Sequence, residues 1–315
     1  MRRILCIDGG GIKGVFAASF LATLESKLPH SIGRYFDLIV GTSSGGIIAL
    51  GLGAGLSASD LVRFYESAGP QIFENQGRLA RLTHFIRGKH DSLPLKSALT
   101  AALGGKRLGD SQVRLAIPSQ NLETGEVHIF KTSHHERFAT DHKNLMVDVA
   151  LATSAAPTYF PTHKLPLGTP LIDGGLWANN PCGVAAVEAV SILNWNRADT
   201  WLLSLSCTRT PISVEKAHTF SAGKLYWARK LLEVVGAGQS SGSLGTAKHL
   251  LGHQSVYRVE PVVSATAFEL DKADAIDRLK GLGASEARTH GPHLQEYLKD
   301  VAEAFVPFHS LNAAP

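Results

Sequence analysis

The sequence has few of the residues that staple small secreted domains or build metal centres. Its three cysteines, Cys6, Cys182 and Cys207, cannot all pair, and each lies among apolar or small neighbours. They read as reduced thiols filling a core, which points to a cytoplasmic protein. None belongs to a Cys-x-x-Cys or zinc-ligand pattern, so no metal site is expected. Charge is also sparse: 18% of residues are charged and the formal net charge is +4. That is too little, and too evenly spread, to hold DNA or RNA polymers, though it is compatible with weak attraction to an anionic membrane. Long apolar runs are missing as well. The uncharged apolar stretch from Gly45 to Ser59 carries five glycines and is too short to span a bilayer. Two arginines open the chain, but only Ile4 to Ile7 follows before Asp8, which reads as a strand and not a signal peptide. Membrane contact is therefore expected to be peripheral.

A chain of 315 residues that is 44% hydrophobic can bury a large core. Its organising stretch is Asp37-Leu38-Ile39-Val40-Gly41-Thr42-Ser43-Ser44-Gly45-Gly46. A strand-like run ends in Gly-x-Ser-x-Gly, through Gly41, Ser43 and Gly45, and an apolar helix follows. In such a nucleophile elbow the serine hydroxyl is pushed into the open at a sharp corner. Arg3 to Ile7 reads as an earlier buried strand, running into Asp8-Gly9-Gly10-Gly11-Ile12-Lys13-Gly14, with helical spacing of apolar residues from Val15 to Leu28. A βαβα opening of this kind implies a parallel sheet with crossover helices.

Gly9, Gly11 and Gly14 also match the dinucleotide fingerprint Gly-x-Gly-x-x-Gly. Against that reading, Asp8 would crowd a pyrophosphate, and the second strand ends in a serine elbow instead of a ribose-binding carboxylate. The loop is better suited to gather backbone N–H donors at a helix start, where Gly10 and Gly11 would stabilise an oxyanion.

Further along, Leu61 to Phe73 and Leu95 to Leu103 read as helices, separated by a basic stretch containing Arg78, Arg81, Arg87 and Lys89. That stretch is either a solvated loop or a flap. Val113 to Ile117 and Val127 to Lys131 read as a hairpin. His134, His135, Asp141 and His142 have irregular spacing and read as surface residues. Leu145 to Ser154 is a short helix, and Leu171-Ile172-Asp173-Gly174-Gly175 delivers an aspartate onto a turn. A helix from Val184 to Leu193 and a strand from Trp201 to Leu205 follow. Phe220 to Gly236 reads as an amphipathic helix. Ala237 to Gly245 reads as a Gly/Ser loop, flexible or a phosphate cradle made by Ser240, Ser241 and the nearby Lys248. His249 and His253 stand at i and i+4 without the glutamate of a zinc motif. Val256 to Val259 is a strand, and Asp271 to Leu282 and Leu294 to Phe305 are closing helices.

Taken together, the glycine loop from Asp8 to Gly14, the elbow from Gly41 to Gly45, the segment Ala152 to Pro161 and the turn Asp173-Gly174-Gly175 resemble the patatin-like phospholipases. The match spans residues 4 to 183. It departs from the family in Lys13, where arginine is usual, and in Leu203-Ser204-Leu205-Ser206-Cys207-Thr208, where a glycine-containing strand end is usual. The resemblance implies a three-layer α/β fold: a central, mostly parallel sheet, helices on both faces and a helical C-terminal region. It implies a catalytic core over 1–205, with 206–315 a helical and regulatory part of the same domain. The implied activity is phospholipid acyl hydrolysis by a Ser43–Asp173 dyad, with no cofactor. A histidine triad is the competing mechanism, since His249, His253, His290 and His293 follow Asp173. Length and C-terminal region look similar to bacterial effectors of antiviral CBASS systems. That sub-family implies a cyclic dinucleotide activator, received by Ser240, Ser241 and Lys248 or by the basic stretch, action at the inner membrane, and a possible homo-oligomer. A non-lipid esterase or transacylase, and a silent ligand-sensing module, are the alternatives.

Overall fold

The computed structural model describes residues 1–72, 90–209, 224–263 and 275–311. The basic stretch Arg78 to Lys89 and the starts of two predicted helices, at Phe220 and at Asp271, lie outside the described residues. Apolar alternation sets the architecture. In β1 (Arg2–Ile7), Ile4 and Cys6 pack into one hydrophobic cluster while Leu5 and Ile7 pack into another. Successive side chains of a strand point to opposite faces, so a strand buried on both needs a layer of helices on each side.

The sheet has eight strands in the order β5-β6-β3-β2-β1-β7-β8, with β4 paired to β3. β1, β2 (Leu38–Gly41), β3 (Arg114–Asn121), β7 (Thr200–Leu205) and β8 (Val256–Val259) run parallel. β4 (Val127–Lys131) is the antiparallel partner expected from the hairpin pattern, and β5 (His163–Lys164) and β6 (Pro170–Asp173) continue antiparallel. One face is covered by α1 (Gly14–Glu25), α2 (Ser44–Gly53), α3 (Ala58–Ile72), α4 (Ser92–Leu103) and α5 (Met146–Thr153). The short α6 (Gly175–Ala178) leads into α7 (Cys182–Val187), which runs on as a π-helical turn from Glu188 to Ile192. With α8 (Lys224–Leu251), α7 covers the other face. α9 (Ile276–Leu294) packs on α1.

The pairing of β3 decides where the sheet opens. Ala116 pairs with both β2 and β4, and Ser119 with both β4 and β6. A residue has only two edges, so β2 and β6 share the edge of β3 opposite β4. β6 takes up that edge where β2 leaves it, which carries Asp173 to the spot where β2 turns into the elbow.

Several sequence expectations are overturned. Residues 237–245 are not a loop: they continue α8 without a break. Neighbouring contacts override the weak helix propensity of Gly and Ser. Gln239, Ser240 and Ser243 all bond to Asn180 or Gly183. The two predicted closing helices are one helix ending at Leu294, and residues 298–310 run as an extended strap. Strap contacts replace helical bonds: Ala302 N donates to Arg34 O (2.8 Å) and Phe308 N to Ser133 O (2.7 Å). The C-terminal part therefore contributes both helices and β8 of the central sheet.

His134 and His142 are buried, not surface residues. His134 sits between Thr132 Oγ1 and Glu188 Oε1, each at 2.8 Å, and Lys131 Nζ reaches Glu188 Oε2 at 2.6 Å. Burial would raise the Glu188 carboxyl, but these partners hold it below its ordinary value.

The α1–α9 contact makes a testable difference. A Cβ on Gly283 would lie 2.4 Å from Phe16 O, whereas one on Gly281 would meet nothing within 4 Å. Urea unfolding should show Gly283→Ala destabilised by about 1–3 kcal/mol through overpacking. Gly281→Ala should be stabilised by up to about 1 kcal/mol, since alanine is the better helix former.

Candidate active site

The site forms at the C-terminal ends of β1 and β2. Gly41 and Gly45 are required by close approach: a Cβ on Gly41 would lie 2.2 Å from Gly45 O, and one on Gly45 would lie 2.3 Å from Ile7 O. The turn squeezed between them forces Ser43 to φ 54° and ψ −122°, a backbone conformation that costs a non-glycine residue about 1–3 kcal/mol. The corner is held by hydrogen bonds. Thr42 N donates to Ile7 O (3.2 Å), and Thr42 Oγ1 donates to Ala178 O (2.6 Å). Ser43 N donates to Thr153 Oγ1 (3.0 Å), whose own proton goes to Pro118 O (2.6 Å).

Asp173 comes to the same corner from β6. Its backbone N donates to Ala155 O (3.0 Å), and its Oδ1 accepts from Gly175 N (2.7 Å). The Ser43 hydroxyl stands close enough to this carboxyl to favour its ionised form. The structure thus brings Ser43 and Asp173 together across 130 residues of sequence. The segment Ala152 to Pro161 supplies one anchor to each, Thr153 to the serine and Ala155 to the aspartate. Asp173 is 5% exposed, and burial raises its pKa to about 6 against the opposing pull of the Gly175 N–H and the Ser43 hydroxyl. A carboxylate in that range is a far stronger base than an exposed one.

The glycine loop lies beside this pair. Gly9 N donates to Asn179 O (3.0 Å), and Asn179 Nδ2 returns a bond to Gly9 O (3.2 Å). Gly10 N donates to Ser44 Oγ (3.0 Å). Of the two donors expected for an oxyanion, Gly10 N–H is therefore already engaged, while Gly11 N–H meets no acceptor among the described residues. Gly14 and Gly174 serve packing: a Cβ there would lie 2.5 Å from the Tyr65 hydroxyl and 2.4 Å from Pro118 O respectively. A Cβ on Gly175 would lie 3.0 Å from Asp173 Oδ1, so this glycine leaves the carboxylate its room.

Three contributors escaped sequence reasoning. Arg258, on β8, holds Asp8 with two bonds, Nη1 to Oδ1 (3.2 Å) and Nη2 to Oδ2 (2.6 Å), and also bonds Ser204 and Glu260. The strand that carries it pairs with β7 some 250 residues after Asp8, and no local pattern announces the contact. Asn179 lies between the Asp173 turn and the helix predicted from Val184, where no local pattern marks it. Cys207 fills the space a Gly10 side chain would need, 2.4 Å from that Cβ, and burial pushes its thiol up to about 12, so it is inert. The unusual strand end Leu203 to Thr208 is explained here. Cys207 wedges under the loop, and Thr208 follows at φ 115°, where glycine is the usual occupant.

The remaining candidates do not converge on the corner. Ser240 bonds Asn180 from within α8, and Ser241 and Lys248 lie on that helix with no loop to cradle an anion. His290 is hydrogen-bonded to Tyr257 and faces Glu286. His249 stacks edge-on against His253 and His293 packs on Tyr257. None of these histidines is bonded to Ser43 or Asp173. Among the described residues no group of His, Cys, Asp and Glu could hold a metal ion. A cleft of about 420 Å³ is lined by Arg2, Asp37 and Glu296, at the opposite edge of the sheet from Ser43.

A patatin-like phospholipase family model matches residues 5–186. A cGAMP-activated phospholipase of Pseudomonas aeruginosa is 34% identical over 319 residues, covering 98% of this chain and 95% of that protein. Proteins of the same description from Escherichia coli and Vibrio cholerae are 41% and 40% identical, each over 59% of this chain. The matches cover 55% and 57% of those two proteins, so the chain spans little more than half their length.

Two measurements check this geometry. Phosphonylation of Ser43 by a fluorophosphonate should accelerate with rising pH through about 6, as Asp173 ionises, and then level off. Asp173→Asn should flatten the profile and slow labelling at least about a hundredfold. Arg258→Met strips a buried carboxylate of its partner and should cost about 3–5 kcal/mol in thermal unfolding, part of it recovered by adding Asp8→Asn.

Proposed function

The chain belongs to the patatin-like phospholipase family, and from that premise we propose that it hydrolyses acyl esters of membrane phospholipids when a cyclic dinucleotide switches it on. The observation that carries the chemistry is the Ser43 hydroxyl set beside a buried, basic Asp173. Asp173 takes the hydroxyl proton as Ser43 Oγ attacks the ester carbonyl. The carbonyl oxygen becomes an oxyanion beside the open Gly11 N–H, and Gly10 N–H joins once the Ser44 hydroxyl turns away. Asp173 returns its proton to the leaving alcohol, which departs as lysophospholipid. Water then attacks the acyl-Ser43 ester, again giving its proton to Asp173, which passes it on to Ser43 Oγ as the free fatty acid leaves. Every proton is accounted for by two residues, and neither metal nor organic cofactor enters.

The cyclic dinucleotide is proposed on the named activity of the relatives at 34–41% identity. The helical setting of Ser240 and Ser241 argues against the phosphate cradle expected there. Among the described residues no helix is long and apolar enough to cross a membrane. The same reading places its action peripherally, on the inner membrane. A homo-oligomer belongs to the same reading and would appear in sedimentation with and without nucleotide.

The test is mass spectrometry of products from phosphatidylethanolamine–phosphatidylglycerol vesicles, with and without cGAMP. Free fatty acid and lysophospholipid should appear with the nucleotide, and Ser43→Ala should lower their release at least about a thousandfold. Release unchanged in Ser43→Ala, or by short-chain esters alone with intact lipids, would overturn the proposal.

A further inference from the structure

We propose that the N-terminal half of α8 and the hairpin tips at the same edge of the sheet form the surface that seats this protein on an anionic phospholipid bilayer. The inference rests on the reading of the chain as a phospholipid hydrolase and adds where the lipid surface meets it. α8 runs antiparallel to the parallel strands, because its C-terminal end at Leu251 feeds β8 at the edge of the sheet remote from Ser43. Gln239 and Ser240 bond Asn180, whose neighbour Asn179 bonds the glycine loop, so these residues stand level with the catalytic corner. From Gln239 to Trp227 the helix rises about 18 Å further, beyond the edge at which Ser43 opens.

The projecting half carries a stripe of apolar side chains. Trp227, Leu231, Val234 and Val235 stand at i, i+4, i+7 and i+8, and are 44%, 51%, 37% and 50% exposed. At about 100° per residue they lie about 150° round the helix from Gln239, Ser240, Ser243 and Ala247, which face the protein body. The same edge of the sheet bears further exposed apolar tips. Leu122, 54% exposed, follows the end of β3, and Leu167, 97% exposed, tops the β5–β6 hairpin. Isolated exposed apolar residues need no explanation, but a helical stripe and hairpin tips on the edge at which Ser43 opens do.

Charge selects the occupant. In sequence, residues 224–235 carry Lys224, Arg229 and Lys230 against Glu233 alone, so the segment that bears the apolar stripe has a net charge of +2. An apolar stripe in a basic setting suits the headgroup boundary of an anionic bilayer, where apolar side chains enter the acyl region and cations stay among phosphates. A lipid leaving such a bilayer would emerge at the mouth of the site.

The test uses the full chain carrying Ser43→Ala, so that vesicles survive the measurement. Flotation with phosphatidylethanolamine–phosphatidylglycerol vesicles, with cGAMP present, should lose at least tenfold in bound fraction when Leu231→Asp and Val235→Asp are added. In the Ser43 protein those two changes should cut vesicle hydrolysis by a similar factor and leave hydrolysis of a short-chain water-soluble ester within twofold. Trp227 fluorescence should shift to the blue on vesicles and stay put in the Asp variant. Unchanged flotation would overturn the proposal. So would a fall in sedimenting mass in the Asp variant with flotation intact, which would assign the stripe to a second copy of the chain. Flotation lost while no lipid is cleaved by the Ser43 protein would leave the docking surface standing and sink the hydrolase reading instead.

Discussion

Everything at the corner depends on two backbone approaches too close for a side chain. Gly41 lies over the Gly45 carbonyl, and Gly45 lies against Ile7 of the neighbouring strand. That contact clamps β1, β2 and α2 into one unit and leaves the chain between them no relaxed path. Ser43 takes up the strain, and its φ of 54° puts the hydroxyl out of the sheet toward β6. The strain persists because the surroundings over-determine it: Thr42 is tied at its N–H and its hydroxyl, and Ser43 at its N–H. A larger residue at either glycine would pry the elbow open before it disturbed the rest of the sheet.

The second constraint is electrostatic. The corner is dry enough that a carboxylate there must be either partnered or basic, and the fold uses one of each. Asp8, at the root of the glycine loop, is held by the Arg258 guanidinium in a two-pronged ion pair. Burial still raises its carboxyl, and the paired Arg258 works against that rise. Among the described residues Asp173 meets no cation, only the Gly175 N–H and the Ser43 hydroxyl, and burial raises its pKa to about 6. Two aspartates preceding similar glycine turns thus sit in opposite settings, one paired and fixing a loop, the other left basic beside Ser43.

Legibility in the sequence followed locality. The elbow, the glycine loop and the Asp-Gly-Gly turn could be read because each is a short stretch whose backbone demands fix its residue types. The β3–β4 hairpin could be read from alternation around a turn. Arg258 could not, because its role exists only through the pairing of β8 with β7. The α8 segment was misread for a physical reason. Glycines and serines at 236–245 weaken helix propensity, yet Gln239, Ser240 and Ser243 gain bonds to Asn180 and Gly183 that only a helix can make together. His134 was misread likewise, since nothing near it in sequence announces Glu188.

By itself the sequence determined the α/β class and the parallel core, which follow from local rules of period, turn chemistry and glycine placement acting over a few residues. Its resemblance to the family marked Ser43 and Asp173 as the candidate pair. Tertiary structure alone decided that β6 takes over the edge β2 vacates, which sets the serine against the aspartate. It decided that the Gly10 N–H is held by Ser44 while Gly11 stays open. It also decided that the second half of α8 is bound to the body while the first half projects from the catalytic edge. Each of these depends on pairings between segments far apart in the chain, and the energy of such contacts is not written in either segment alone.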